Sequence, residues 1–161
     1  MRASLLLAIV FCLSTWVLAA DWGTYEDTRY GYVFGVPPGF AAIAGRDDGA
    51  GHLFASVDGT QRLRTWGGST PGDGYEATVA AIMDAARAEG WLLSGERVAP
   101  AWAGWAGRRN GMRLEARMIA LCEGRRYAAV EIVYPERALH TAGPVAERLA
   151  RSLAAAADAR C

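Results

Sequence analysis

Residues 101–121 read AWAGWAGRRNGMRLEARMIAL, and this stretch decides the fold. Two runs suited to β-strands flank Asn110-Gly111, the dipeptide most typical of a two-residue hairpin turn. Pairing across that turn sets Arg108 opposite Arg113 and Trp105 opposite Ala116. One face of the hairpin is then apolar and is predicted to be core; it carries Trp105, Leu114, Ala116 and Met118. The other face is predicted to be wetter; it carries Arg108, Arg113, Glu115 and Arg117.

Further strands are predicted on both sides of this hairpin. Residues 29–36 alternate as a half-buried strand does, residues 53–57 and 61–66 flank an Asp-Gly turn, and residues 67–72 read as a loop. Residues 91–98 precede the central hairpin as a strand.

The turn that leads from the central hairpin into the strand at residues 126–134 leaves two registers open. A two-residue loop would place Glu131 on the core face, where burying a carboxylate is costly. A three-residue loop with Gly124 in the left-handed conformation points Val130 and Ile132 inward instead. We therefore predict the three-residue loop, which brings Glu131 to the Arg117 side.

Two helices complete the pattern. Asp73 and Glu76 have the spacing of a capping box, apolar residues follow at helical spacing, and Gly90 suits a C-terminal cap. A second helix is predicted to open at Pro144. The order of strands, helix, meander and helix predicts an α+β fold, in which an antiparallel sheet built from hairpins carries two main helices packed on it.

The N-terminus predicts export. A positive Met1-Arg2 precedes an apolar run over residues 5–18, and small residues lead up to Asp21, as in a secretory signal peptide. We expect residues 1–20 to be removed, and residues 21–161 to form a single α+β domain in the periplasm or outside a bacterial cell. Cys12 follows Phe11 rather than a small residue, so we reject a lipoprotein anchor. No later segment is apolar enough to span a membrane.

Removal of Cys12 leaves Cys122 and Cys161 as an even pair. In an oxidising compartment such a pair predicts a disulfide. It would close a loop of about 40 residues, for which chain entropy gives roughly 4 kcal/mol.

Composition and motifs exclude several functions. The 17 basic and 17 acidic residues balance, so neither nucleic acid nor an anionic membrane is an expected partner. All the basic residues are arginines, which excludes Schiff-base chemistry on a lysine. With only two histidines and no cysteine cluster, we expect no metal site. Asp47-Asp48-Gly49 lacks the ligand pattern of a calcium loop. No cofactor motif is present either, and we predict no catalytic residue.

One candidate binding surface stands out, made of Trp102, Arg108, Arg113 and Arg117. Trp102 and Trp105 are an odd number of residues apart, so on a regular strand they face opposite sides. An exposed Trp102 beside the arginine strip (Arg108, Arg109, Arg113, Arg117, Arg125 and Arg126) would suit an acidic partner. The alternatives are a Trp102 covered by a helix and an arginine strip that is a solvated face balanced by glutamates.

Several motifs resemble a family of small bacterial periplasmic proteins of unassigned function. The resemblance covers nearly the whole mature chain and rests on the segments at residues 25–40, Ser56-Val57-Asp58-Gly59, residues 102–105, residues 131–135 and Ser152-Leu153. The layout also resembles the Mog1/PsbP-like α/β/α sandwich. That resemblance implies a binding or accessory module.

Two functions therefore stay open. We favour a non-enzymatic module of the cell envelope that binds an unknown envelope protein or small ligand. The alternative is a small periplasmic hydrolase that uses His52 or His140. It requires one of these histidines within hydrogen-bond reach of a serine or carboxylate in a cleft.

Overall fold

The computed structural model describes residues 21–43 and 51–161. The predicted signal peptide over residues 1–20, including Cys12, and the turn at residues 47–49 lie outside the described residues. Within the described residues, no helix has the length and apolar character needed to cross a membrane.

Ten strands and two α-helices follow one another along the described chain. They are β1 (Gly23–Asp27), β2 (Tyr32–Val36), β3 (Phe40–Ile43), β4 (His52–Ser56), β5 (Arg62–Ser69), α1 (Gly74–Ala88), β6 (Leu92–Ala99), β7 (Trp102–Arg109), β8 (Met112–Leu121), β9 (Arg126–Pro135), α2 (Leu139–Ser152) and β10 (Ala154–Ala155). A short 3₁₀ helix (Glu136–Ala138) precedes α2.

The strands form two antiparallel sheets. The large sheet has seven strands in the order β3-β4-β5-β9-β8-β7-β6, and the small one has three in the order β1-β2-β10. Helix α1 packs on one face of the large sheet, and α2 and the small sheet pack on the other. The predicted α+β class, with antiparallel sheets and two packed helices, is confirmed.

The central hairpin has the predicted register. Arg108 pairs with Arg113 and Trp105 with Ala116, and Asn110 and Gly111 both have positive φ (50° and 74°), as a hairpin turn of two left-handed residues requires. The face predicted to be core is buried under α1: Trp105, Leu114, Ala116 and Met118 belong to one cluster.

The register between β8 and β9 differs from the prediction. Leu121 pairs with Arg126 across residues 122–125, so Glu131 pairs with Ala116 and shares the α1 face with Trp105. The predicted three-residue loop is therefore wrong. The reason is that both faces of the sheet are covered: Val130 and Ile132 pack in the core under α2, so apolar side chains do not identify a single inner face.

Helix boundaries also differ from the prediction. Helix α1 begins after Asp73, but the Asp73 side chain makes no capping hydrogen bond. Gly90 has φ of 90°, as a left-handed C-terminal residue should. Helix α2 begins at Leu139 rather than at Pro144, which lies inside it. The earlier start adds a turn before Pro144 that buries Ala142.

The segment predicted as a loop at residues 67–72 is strand up to Ser69. Gly67 pairs with Ala128 and Gly68 with Tyr127. A Cβ atom on Gly67 would approach the Tyr30 side chain to 2.7 Å, and one on Gly68 would approach the Tyr127 ring to 2.8 Å. These glycines allow aromatic rings to lie directly on the strand.

The C-terminus lies against the loop between β8 and β9. Cys122 and Cys161 are joined as a disulfide with 5.2 Å between their Cα atoms, and the Arg126 guanidinium donates to the Arg160 carbonyl. This arrangement supports the predicted pairing of the two cysteines.

Candidate functional site

The hairpin face predicted to be wet points towards α2, and part of it lines a groove. Trp102 is half-buried there, and the Arg117 guanidinium lies 4.0 Å from the centroid of its ring. The groove holds about 460 Å³ between β6, β7, β8 and α2. We call it the Trp102–Arg117 groove; its lining includes Arg97, Trp102, Gly104, Arg117, Glu147 and Arg151.

The strand register positions this pair. Gly104 lies opposite Arg117, and Trp102 lies opposite Ile119, two residues further along β8. Since Gly104 has no side chain, nothing on β7 blocks the Arg117 side chain from lying over the Trp102 ring. The stacked pair presents a cation and an aromatic surface together.

The charge of the groove is mainly positive. Glu147 is its only carboxylate among the described lining residues, and it pairs with Arg151 at 2.5 Å. No carboxylate of the described residues forms an ion pair with Arg97 or Arg117. The Nε atom of Arg117 is buried and lacks a hydrogen-bond partner within the described part of the chain. Burial lowers the pKa of Arg117, yet guanidinium stays protonated at neutral pH.

The other predicted surface residues do not join this groove. Arg108 is exposed, with its Nε atom 3.4 Å from Glu136, and Arg113 is half-buried. Arg109 lies on the opposite face of the sheet, over the Trp91 ring. Arg125 and Arg126 donate to main-chain carbonyls near the disulfide. The predicted arginine strip is therefore divided, and only Arg117 contacts Trp102.

The geometry required by the hydrolase alternative is not met among the described residues. His52 and His140 are both exposed, and neither makes a hydrogen bond to a described serine or carboxylate. Ser56 donates to Asp58 at 2.5 Å in the turn after β4, away from any histidine partner. Glu115 and Glu131 lie on opposite faces of the sheet and do not form a carboxylate pair. The described residues also hold no cluster of metal ligands.

A second cavity, which the sequence did not predict, lies between α1 and the sheet. It holds about 230 Å³. We call it the tryptophan pocket; its lining includes Arg64, Trp66, Ile82, Trp91, Trp105 and Glu131. A signal for it was present in the sequence, since Glu131 interrupts the apolar run AAVEIVY at residues 128–134.

The Glu131 carboxylate is the unusual group of the tryptophan pocket. Its side chain is only 13% exposed, and its charged partner, Arg64, places Nη2 3.3 Å from Oε1. Burial raises the pKa of Glu131 above its ordinary value of 4.5, and the nearby Arg64 guanidinium opposes that rise only in part. A buried carboxylate with a shifted pKa in an aromatic cavity makes that cavity a candidate binding site.

Solved structures with this architecture are known. The solution structure of cyanobacterial PsbP (CyanoP) from Synechocystis sp. PCC 6803 is 15% identical, with a TM-score of 0.61, over 86% of this chain and 95% of that chain. The Ran-binding protein Mog1p of Saccharomyces cerevisiae is 10% identical, with a TM-score of 0.60, over 85% of this chain and 96% of that chain. The chain therefore has the Mog1/PsbP-like fold, as the resemblance in the sequence implied.

No protein-family model and no curated protein sequence matches this chain. Its resemblance to small periplasmic proteins stays a prediction, and the similarity to the solved structures establishes the fold alone.

Proposed function

We propose that this chain is an exported, non-enzymatic binding module that receives an acidic segment of a partner protein in the Trp102–Arg117 groove. The observation that carries the proposal is Arg117 stacked on Trp102 at 4.0 Å, without an ion-pair partner among the described residues. An acidic side chain could satisfy Arg117, while an apolar or aromatic neighbour packs on Trp102.

Two further observations support a protein partner. The groove is lined by residues of β6, β7, β8 and α2, and its cations Arg97 and Arg117 come from different strands. Mog1p, which has the same fold, is a Ran-binding protein. An accessory role through protein contact is therefore the function we favour for this chain.

The probe for this proposal is an acidic peptide of glutamate and phenylalanine, compared with a peptide in which lysine replaces every glutamate. We expect the acidic peptide alone to bind. Arg117→Ala and Trp102→Ala should each weaken its binding by about tenfold, the value of a charge-assisted contact. Arg108→Ala is the matched control, because Arg108 lies on the same face of the hairpin but outside the groove. Equal binding of the two peptides, or equal losses in Arg117→Ala and Arg108→Ala, would contradict the proposal.

The natural partner is sought by site-specific photo-crosslinking in envelope extract. A photoreactive side chain at position 150, where Ala150 lines the groove, leaves Trp102 and Arg117 in place. It should yield a defined adduct that the acidic peptide competes away. The same group at position 57, where Val57 is 90% exposed in a distant turn, is the control. Identical adducts at both positions would show that the groove has no special role.

Export is part of the proposal, and its test is direct. We propose cleavage after Ala20 and a mature domain over residues 21–161 in the periplasm or outside the cell. N-terminal sequencing of the chain from the envelope fraction should begin at or within a residue or two of Asp21. A chain that keeps Met1 and stays in the cytoplasm would overturn this part alone.

A further inference from the structure

The tryptophan pocket brings three indole rings together from separate parts of the chain. Trp66 comes from β5, Trp91 from the residue just before β6 and Trp105 from β7, and α1 closes the cavity with Ile82. Trp91 and Trp105 are buried, at 5% and 4% exposed. Aromatic faces attract cations through their quadrupole, and this attraction strengthens where water is excluded.

Carboxylates add to the attraction. Glu131 lies in the wall of the pocket with a side chain 13% exposed, and Glu89 also lines the cavity. Burial of an ionised carboxylate is costly unless a cation with good geometry compensates it. Arg64 compensates Glu131 through a single guanidinium nitrogen, Nη2, which lies 3.3 Å from Oε1 and donates to Oε2 at 3.4 Å, and its side chain is 50% exposed. Arg109, whose guanidinium lies 4.4 Å from the centroid of the Trp91 ring, adds a second positive charge near Glu131 but forms no ion pair with it among the described residues.

Arg64 shows which chemistry the pocket accepts. Its guanidinium lies 4.5 Å from the centroid of the Trp66 ring while it contacts Glu131. A cation is thus held between an indole ring and a carboxylate by the chain itself. Because Arg64 is half-exposed on a long side chain, a competing cation can replace it without disturbing the core.

We propose that the tryptophan pocket binds a small organic cation, an ammonium or guanidinium group on a short apolar stem, which takes the place of Arg64 beside Glu131. The volume of about 230 Å³ is below the range typical of drug-sized ligands, so the ligand is a headgroup or a single side chain. This site lies on the opposite face of the sheet from the Trp102–Arg117 groove and does not depend on it.

The test uses three probes of similar size, butylguanidinium, 1-butanol and butyrate, at constant ionic strength. Binding is followed through the indole N–H signals of Trp66, Trp91 and Trp105 in the nuclear magnetic resonance spectrum of the mature chain. We expect butylguanidinium to shift these signals, with little effect from the neutral and anionic probes. The Trp102 signal should stay in place.

Three variants, one of them a control, test the roles of Arg64 and Glu131. Arg64→Ala should tighten butylguanidinium binding by about threefold, because it removes the internal competitor from a contact of modest strength. Arg62→Ala, two residues away on the same strand and outside the pocket lining, should leave binding unchanged. Glu131→Gln should weaken binding by about tenfold, since a charge-assisted contact is lost.

Three outcomes would overturn the proposal. If butyrate binds and Arg64→Ala abolishes that binding, the pocket is an anion site anchored by Arg64. If no probe shifts the indole signals in either the natural chain or Arg64→Ala, the pocket binds none of these groups. If Glu131→Gln binds butylguanidinium as tightly as the natural chain does, the carboxylate has no part in recognition. Arg64 is exposed on the surface, so the Arg64→Ala result does not depend on the folding of the Glu131 variant.

Discussion

The two faces of the seven-stranded sheet are each covered by one helix, yet they leave openings of opposite character. Beside α2, Arg117 lies on Trp102 in a groove whose unpaired charges are cationic. Beneath α1, Glu131 lies among three tryptophans with a weak partner. In both places the sheet supplies an aromatic ring and a charged group from neighbouring strands. The sign of that charged group decides which ligand each face suits.

Glu115 shows that a carboxylate on this sheet can be satisfied by the chain itself, without a ligand. It lies one strand away from Glu131, on the α2 face, and accepts a hydrogen bond from the Tyr134 hydroxyl. On the α1 face, among the described residues, the side chain that hydrogen-bonds Glu131 is that of the half-exposed Arg64. Glu115 thus has a structural role, whereas Glu131 is the carboxylate that we propose to bind a ligand.

The largest expected effect comes from the disulfide, which fastens the C-terminal segment after β10 to the loop between β8 and β9. Reduction, or Cys122→Ser with Cys161→Ser, releases a link between residues 39 apart in sequence, which chain entropy values at roughly 4 kcal/mol. Hydrogen exchange should rise in β10 and the adjoining β2 through local opening, and in the most protected amides of both cores only by as much as the global free energy of unfolding falls. The mass difference on alkylation with and without reductant checks the link first, and two free thiols would remove this prediction.

Removing a large side chain from either core should lower the free energy of unfolding by a similar amount. The indole signals that shift should differ between the two cores. Leu149 in α2 is 1% exposed and Met83 in α1 is 4% exposed. Leu149→Ala and Met83→Ala should each lower the free energy of unfolding by about 3 kcal/mol. Leu149→Ala should shift the indole signal of Trp102, and Met83→Ala those of Trp91 and Trp105. If both variants shift the same signals, the two cores are not separate.

Stability should depend on pH through Glu131. Burial raises the pKa of this carboxyl above 4.5 in the folded chain, so the folded state holds its proton more tightly than the unfolded state. Stability from this group is therefore full below pH 4.5 and is lost as pH rises through the raised pKa. The groups that face it are Arg64, Glu89 and Arg109.

Glu131→Gln removes this dependence. At acid pH the variant and the natural chain should unfold at the same urea concentration. Near neutrality the variant should be equally or more stable, by about 1 kcal/mol or less, because the lost contact with the half-exposed Arg64 is worth little. A variant that is less stable than the natural chain near neutrality would show that the ionised Glu131 stabilises the fold.

The smallest effect is expected outside both openings. Arg108 is 62% exposed and lies 3.4 Å from Glu136. Arg108→Ala should change the free energy of unfolding by less than about 0.5 kcal/mol, as is usual for an exposed ion pair. A larger loss in thermal or urea unfolding would mean that the predicted arginine strip acts as a unit.

The sequence predicted those parts of the fold in which the turn residues and the alternation of apolar residues match the observed register and burial. Asn110-Gly111 set the register of the central hairpin, and the face with Trp105 and Met118 is buried as expected. The prediction also placed Trp102 and Trp105 on opposite faces of the sheet. These outcomes depend on turn chemistry and on the two-residue period of a strand, which are readable along the chain.

The candidate site was only partly predictable, because its ligand-facing groups depend on tertiary contacts. Glu131 was assigned to the wrong face since a single covered face was assumed, whereas α1 and α2 cover both. The sequence predicted too short a β5 because Gly67 and Gly68 are typical of a loop. In the folded chain, Tyr30 and Tyr127 pack over these two glycines, which therefore belong to the strand. Arg64 and Trp66 come from that strand, so the tryptophan pocket could not be assembled from the sequence.

One titration tests the contrast between the faces most directly. The mature chain, with its indole N–H signals assigned, receives the acidic peptide and butylguanidinium in separate experiments. We expect the peptide to shift Trp102 and leave Trp66, Trp91 and Trp105 in place, and butylguanidinium to do the reverse. If both probes shift the same tryptophans, or neither shifts any, the assignment of opposite charges to the two faces is contradicted.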